Sequence, residues 1–115
     1  MDAVFLGRIG YDLYSEEPHV PLKDVRRFSR YLGGSSANQA VGLARLGLRV
    51  GIVAAVSRDA VGDFLVEFLN REHVDTRHVQ RVEGYPSSLC LTEVSPPDRF
   101  PQVFYRQQPD RKSVV

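Results

Sequence analysis

The sequence predicts an α/β fold, in which a parallel sheet covered by helices carries a small antiparallel β lid. Two apolar runs, at residues 3–7 and 50–56, are typical of strands buried in a parallel sheet. Segments with the apolar spacing of a helix alternate with these runs. Two further runs, at 88–94 and 102–106, flank the loop SPPDRFP and are predicted to pair antiparallel.

The first predicted elements are a strand, a loop and a helix. After the strand, Pro18 and Pro21 mark a loop. Residues 24–32 carry apolar side chains at helical spacing, with arginines on the other side, so we expect a helix there. Gly33 and Gly34 are expected to end this helix.

The middle of the chain predicts two helices alternating with two strands. A stripe of alanines and valines in residues 36–46 predicts a helix, and the strand at 50–56 follows it. Residues 60–71 predict the next helix, with Asp59 as its N-cap. A short strand is predicted at 78–82.

We expect the chain to hold only part of a domain. A parallel sheet begun in this way normally needs further strands, and further helices to cover them. Residues 1–115 are therefore expected to form an incomplete domain.

Composition restricts the classes of partner. The 115 residues are 43% hydrophobic and 25% charged, as in an ordinary globular domain. The net charge of +1 provides no field for nucleic acid or an anionic membrane, so neither is an expected partner. A few local arginines would still suffice for a small anionic ligand. The single cysteine, Cys90, is expected to be buried, and the N-terminus does not resemble a signal peptide, so we expect a cytoplasmic protein.

The stretch YLGGSSANQAVGLARLG has two interpretations. In the structural one, Gly33 and Gly34 turn the chain between two helices and Ser35 or Ser36 caps the second. In the functional one, the missing side chains let a ligand lie against backbone N–H groups at a helix N-terminus. Asn38 would then face the same point, where its amide suits the hydroxyls of a sugar.

Common nucleotide and metal motifs are absent from the sequence. It contains neither G-x-x-x-x-G-K-[ST] nor a G-x-G-x-x-G after the first strand. The histidines His19, His73 and His78 do not have the spacing of metal ligands, so no metal site is expected.

The segment GGSSANQAVGLARLG resembles the N-terminal signature of the ribokinase-like (PfkB) carbohydrate kinases, G-G-x-x-x-N-x-A continuing to L-G. DAVGDFLVEFLNREHVDTRHV resembles the next helix and turn of that family, and the similarity runs from about residue 4 to 110. LGRIGYDLY, VPLKDVRRFSRYLGGS and PPDRFPQVFYR resemble the branch that phosphorylates 5-dehydro-2-deoxygluconate in inositol catabolism. The 2-keto-3-deoxygluconate kinases and fructokinases are the near alternatives.

The resemblance implies a ribokinase-like fold and phosphorylation of a primary hydroxyl of a sugar or sugar acid by MgATP. The sugar would lie between an α/β body and a β lid. Asp12, following the first strand, matches an aspartate that accepts hydrogen bonds from sugar hydroxyls, although a turn aspartate is also common there. Gly33, Gly34 and Asn38 match the sugar-contacting group of the family.

Two residues of the last strand complete the expected site. Arg106 matches the position that pairs with the acidic or keto end of the substrate, the alternative being a solvated strand arginine. Phe104, two residues earlier on the same strand face, could pack against the carbon chain.

The resemblance leaves two hypotheses about the chain. The family's G-A-G-D motif, which supplies the catalytic base and an anion hole, does not occur here. In the first hypothesis, residues 1–115 are the N-terminal, sugar-recognition part of such a kinase, without its C-terminal catalytic and ATP-binding half. This part is expected to be inactive alone and not to bind the ATP and Mg²⁺ of the whole enzyme well. In the second it is a non-catalytic module that binds sugar, or forms a homodimer through its lid strands between residues 88 and 106.

Overall fold

The computed structural model describes residues 1–105, which form two sheets and two α-helices. A three-stranded parallel sheet has the order β1-β4-β5, and a four-stranded sheet, the lid, has the order β3-β2-β6-β7. A short 3₁₀ turn, Leu22–Asp24, precedes β3. In chain order the elements are β1 (Ala3–Leu6), β2 (Gly10–Ser15), β3 (Phe28–Gly33), α1 (Ser35–Arg45), β4 (Val50–Ser57), α2 (Ala60–Arg71), β5 (Val79–Val82), β6 (Ser88–Thr92) and β7 (Gln102–Tyr105).

The core lies between the parallel sheet and the two helices. Ile52 and Val56 of β4 are buried on one side of the strand, where the fully buried Leu65 and Leu69 of α2 also lie. Helix α1 contributes small side chains such as Ala40, which let it approach the sheet closely. The predicted α/β class is therefore confirmed, and both helices lie within one residue of their predicted bounds.

Helix α2 begins at the cap that the sequence predicted. The Asp59 carboxylate accepts hydrogen bonds from Gly62 N at 3.0 Å and from Ser57 Oγ at 2.6 Å. The hydrogen bond from Ser57, and then that from the Gly62 N–H, hold the pKa of this carboxyl below its usual range. The serine at position 57 thus supports the start of the helix.

Replacing Asp59 with alanine is expected to lower the free energy of unfolding by about 1 kcal/mol, the usual value of an N-cap. The pKa of Asp59 is lowered in the folded chain, so its stabilisation is present above the unfolded pKa and is lost as the pH falls through the folded value. Urea unfolding at neutral pH and below about pH 4 measures both effects. Glu67→Ala, on the exposed face of the same helix, is the control and should change little. An equal loss in both variants would contradict the cap.

The prediction of a helix at residues 24–32 is wrong. It contains the end of the 3₁₀ turn and strand β3, which pairs antiparallel with β2 from Gly10↔Gly33 to Ser15↔Phe28. The apolar spacing fits one helical face, but the hydrogen bonds to β2 satisfy this backbone as a strand. Gly33 and Gly34 therefore link a strand, and not a helix, to α1.

The lid has more strands than the sequence predicted. Strands β6 and β7 pair antiparallel, as expected, with Leu89 opposite Tyr105. Strand β2 was missed; it pairs antiparallel with β3 and parallel with β6, so the lid is a mixed sheet. Asp12, which was predicted to follow the first strand, consequently lies inside a lid strand, and the alternative of a turn aspartate is wrong.

Contacts with α2 hold the lid against the body, which consists of the parallel sheet and the two helices. Tyr11 of β2 packs edge-to-face on Phe64, with ring centroids 5.5 Å apart. The Arg30 guanidinium of β3 lies 4.4 Å from the centre of the same Phe64 ring. No helix of the described region is both long and apolar enough to cross a membrane.

Candidate functional site

A cleft separates the lid from the beginning of α1, and Asp12 lies at its centre. The cleft has two adjoining parts, both lined by Asp12. The first-turn pocket, of about 430 Å³, is lined among others by Arg8, Gly34, Ser35, Ser36 and Phe104. The tyrosine pocket, of about 640 Å³, is lined among others by Tyr14, Tyr31, Asn38 and Arg45.

One row of side chains crosses all four lid strands. Asp12 is in register with Tyr31 on one side and with Cys90 on the other, and Cys90 is in register with Phe104. Partners in register point to the same face of a sheet, so these four residues form the lid row. Tyr31 and Phe104 are about half exposed, whereas Cys90 is buried as predicted. The acceptor carboxylate of Asp12 is thus next to the ring of Tyr31, and the ring of Phe104 lies two strands away, beyond Cys90.

The Asp12 carboxylate is partly withdrawn from water. Burial raises its pKa from the ordinary value of 3.8. An ionised carboxylate accepts hydrogen bonds at two oxygens, and such bonds to a charged group are stronger than neutral ones. Asp12 is therefore suited to receive two donors, such as neighbouring hydroxyls.

The two glycines provide room at the cleft floor. A Cβ on Gly33 would lie 2.5 Å from Asp12 Cγ, so only glycine lets the carboxylate take this position. Gly34 has a φ of +95°, and a Cβ there would overlap the backbone carbonyl of Arg8. The predicted cap by Ser35 or Ser36 is wrong: Gly34 is the N-cap residue, and Ser36 Oγ donates to Leu6 O at 3.0 Å.

Asn38 lies in the first turn of α1, with its side chain exposed on the tyrosine pocket. Its Nδ2 donates to Gly34 O at 3.1 Å, and its backbone N–H donates to the same oxygen at 3.0 Å. This bond orients the amide, whose second N–H and oxygen have further capacity for hydrogen bonds.

The structure brings together five of the six predicted site residues. Asp12, Gly34 and Phe104 line the first-turn pocket, Asn38 lines the tyrosine pocket, and Gly33 lies against Asp12. Arg106 lies outside the described residues.

Residues that the sequence did not single out also line the cleft. Tyr14 and Tyr31 stack edge-to-face, with centroids 5.4 Å apart, and Arg8 comes from the turn after β1. The position of Tyr14 two residues after Asp12 was an available signal, because residues two apart on a strand share a face. Within residues 1–105 no three His, Cys, Asp or Glu side chains form a group that could hold a metal ion.

A parallel sheet with helices on one side, facing a separate lid over a helix N-terminus, defines a ribokinase-like α/β protein. Comparison of the sequence with known protein families identifies the family within this fold. The chain belongs to the pfkB family of carbohydrate kinases, whose sequence profile matches residues 2–109.

Relatives and solved structures agree with this family. The chain is 40% identical over 106 residues to a 5-dehydro-2-deoxygluconokinase of Clostridium perfringens, covering 91% of this chain and 31% of that protein. An uncharacterized sugar kinase from Pyrococcus horikoshii, crystallised with ATP, superposes with a TM-score of 0.84 at 33% identity, over 90% of this chain and 33% of that one. The 2-dehydro-3-deoxygluconokinase of Thermotoga maritima gives a TM-score of 0.83 at 26% identity, over 92% and 32%. The chain thus spans about a third of the length of its relatives.

Proposed function

We propose that this chain is the sugar-recognition part of an ATP-dependent kinase that phosphorylates a primary hydroxyl of a sugar acid resembling 5-dehydro-2-deoxygluconate. The observation that carries the proposal is the position of Asp12, a half-buried carboxylate in the lid row, next to the exposed Tyr31 and lining the same pocket as Phe104 and the first turn of α1. The name of the Clostridium perfringens relative supports this substrate class.

In this proposal the sugar is bound by polar contacts to its hydroxyls and by apolar contacts to its carbon chain. Asp12 accepts hydrogen bonds from sugar hydroxyls, and Asn38 both donates and accepts them. Phe104 and Tyr31 pack against the carbon chain from the lid and exclude water. Gly33 and Gly34 let the substrate and the Asp12 carboxylate approach the backbone.

Phosphoryl transfer requires groups beyond this cleft. ATP supplies the phosphoryl group and Mg²⁺ neutralises its charge, but the described residues offer neither a phosphate loop nor a cluster of metal ligands. In the proposal, the remaining part of a PfkB kinase would bind these cofactors and would supply the catalytic base. A positioned base is worth about 10²–10⁴-fold in rate.

The uncovered side of the parallel sheet is suited to receive that remaining part. Phe5 of β1 packs against the core, whereas its neighbours Val4 and Leu6 are 56% and 65% exposed on the other side of the strand. Among residues 1–105, β1 pairs only with β4, so its other edge is open. We propose that this side packs against the C-terminal part of a PfkB kinase, because the relatives are three times as long as this chain.

The second hypothesis, a non-catalytic module, has one observation in its favour. Strand β7 is an edge of the lid, and its Val103, Phe104 and Tyr105 are 40%, 52% and 60% exposed. A second copy of the chain could pair with this edge. Sugar binding by a stable homodimer that gains no activity from any C-terminal part would favour this alternative.

The isolated chain is expected to bind the sugar acid but to form no ADP. Purified protein would be incubated with MgATP and 5-dehydro-2-deoxygluconate, and ADP would be measured against a buffer control. The expected rate equals that of the control, because the base and the anion hole are supplied elsewhere. Turnover above the control would show that residues 1–115 contain a complete active site.

A further inference from the structure

The tyrosine pocket contains a phenol hydroxyl, that of Tyr14, which forms no hydrogen bond within residues 1–105. Every fully buried side-chain oxygen or nitrogen of this region has a partner, so the Tyr14 hydroxyl is accessible. Tyr14 follows Asp12 by two residues on β2, and both side chains therefore project from the same face of the lid. The two residues line the same pocket, where a ligand could reach both.

Other polar side chains of this pocket already have partners. Ser15 Oγ donates to Glu17 O at 3.0 Å. The Arg45 guanidinium donates to Glu72 Oε1 at 2.7 Å and to Glu72 Oε2 at 2.8 Å. Asn38 uses one N–H of its amide within the helix start. Among the described lining residues, the side-chain groups left for a ligand are the Asp12 carboxylate, the hydroxyls of Tyr14 and Tyr31, and the rest of the Asn38 amide.

The charge of the pocket opposes a second anion. The pair of Arg45 and Glu72 is neutral as a whole, so Asp12 leaves a net negative charge at this pocket. A substrate carboxylate would be repelled there, whereas an uncharged carbonyl would not. The ionised Asp12 cannot bind a carbonyl oxygen, because both groups only accept hydrogen bonds. A carbonyl in this pocket therefore needs a neutral donor.

Tyr14 has the properties of such a donor. Burial raises the pKa of its hydroxyl above the ordinary value of 10.0, and the charge of Asp12 raises it further, so the hydroxyl keeps its proton at neutral pH. The edge-to-face contact with Tyr31 restricts the orientation of the Tyr14 ring. Tyr14 is only partly exposed, whereas Tyr31 is 50% exposed, so a hydrogen bond from Tyr14 competes less with water.

We propose that the Tyr14 hydroxyl donates a hydrogen bond to the keto oxygen of the sugar acid, while Asp12 accepts hydrogen bonds from the neighbouring hydroxyls. The inference rests on the proposed function and adds to it a residue that distinguishes keto acids from their hydroxy counterparts. In 5-dehydro-2-deoxygluconate the ketone has a hydroxyl-bearing carbon on each side, which matches a donor and an acceptor side by side on β2. The family resemblance gave the acidic or keto end to Arg106 instead. Tyr14 is a specificity residue and takes no part in phosphoryl transfer.

The first test compares a keto acid with a hydroxy acid. Calorimetric titrations of the 115-residue chain would use 5-dehydro-2-deoxygluconate and 2-deoxygluconate, in which a hydroxyl replaces the ketone. Tyr14→Phe removes the hydroxyl but keeps the ring and its contact with Tyr31. We expect this variant to bind the keto acid about 3- to 10-fold more weakly, the value of one neutral hydrogen bond. Binding of 2-deoxygluconate should change less, because its extra hydroxyl can donate to Asp12 or to water instead.

The infrared spectrum of the bound keto acid identifies the donor. An isotope label at the keto carbon separates its carbonyl stretch from the absorption of the protein. A hydrogen bond to the carbonyl oxygen lowers the frequency of this stretch, so Tyr14→Phe is expected to raise it. Tyr31→Phe, the same change in the ring that stacks on Tyr14, is the matched control and should leave both the frequency and the affinity unchanged.

The possible results separate this inference from the proposed function. A carbonyl frequency that is unchanged in Tyr14→Phe, whether or not it shifts in Tyr31→Phe, overturns the assignment to Tyr14 and leaves the proposed function standing. Equal affinities of Tyr14→Phe and the unmodified chain for the keto acid have the same meaning. An unmodified chain that binds neither acid overturns the proposed function and this inference with it.

Discussion

Replacing Asp12 with asparagine is expected to weaken binding of 5-dehydro-2-deoxygluconate by about 10- to 100-fold, because hydrogen bonds to a charged acceptor are worth about 1.5–3 kcal/mol. Asparagine has nearly the same shape, so the contact with Gly33 and the fold should be retained. Calorimetry gives the affinity, and a thermal unfolding curve verifies that the variant is folded.

The pH dependence provides a second readout of Asp12. Burial raises the pKa of this carboxyl, and protonation removes its charge and makes one of its oxygens a donor. Sugar binding should therefore decline as the pH falls through the raised pKa, and Asp12→Asn should show no such decline. Asp24→Asn, the same substitution on an exposed aspartate paired with Lys23, is the control and should bind normally. An affinity for the sugar acid that is unchanged in Asp12→Asn would show that Asp12 does not bind the sugar.

Replacing Leu6 with lysine is expected to prevent assembly of an active kinase from this chain and a separate C-terminal part. The partner would be the C-terminal two thirds of the Clostridium perfringens 5-dehydro-2-deoxygluconokinase. This chain is 40% identical to that protein over 106 residues, which are 31% of its length. Burial of an exposed leucine contributes about 1.5–3 kcal/mol, and a buried unpaired lysine costs more. Co-purification and ADP formation measure assembly and activity.

The effect should be confined to the open side of the sheet. Leu46→Lys is the matched control, because Leu46 is 78% exposed at the end of α1 whereas Leu6 is 65% exposed on β1. If assembly depended only on general surface hydrophobicity, both variants would assemble less well. If it depends on the proposed interface, only Leu6→Lys should fail to assemble. Both isolated chains should keep their affinity for the sugar acid. Assembly that tolerates Leu6→Lys would place the C-terminal part elsewhere.

The body of the fold could be predicted from the sequence because its signals are local. The run at 50–56 is buried along nearly its whole length, and α2 has both an apolar stripe and the Asp59 cap. The lid could not be predicted in the same way. Strands β2 and β3 mix aromatic, polar and charged residues, and their hydrogen bonds depend on partners distant in the sequence.

The same difference between local signals and long-range strand pairing explains which residues of the candidate site could be predicted from the sequence. The glycines and Asn38 belong to one continuous motif, so their proximity could be expected. Asp12, Cys90 and Phe104 come together only through strand register, and Tyr31 joins them from a segment expected to be helical. Arg8 enters the cleft through a backbone approach that Gly34 permits. No pattern of spacing along the chain encodes that approach.

Titration of 5-dehydro-2-deoxygluconate into the 115-residue chain, without nucleotide, tests the central claim most directly. The account predicts saturable binding of one sugar acid per chain, since Asp12, Asn38 and the lid row all belong to residues 1–105. It also predicts that added MgATP leaves this affinity unchanged. A folded chain that takes up no sugar acid would contradict the assignment of the cleft as a sugar-recognition site.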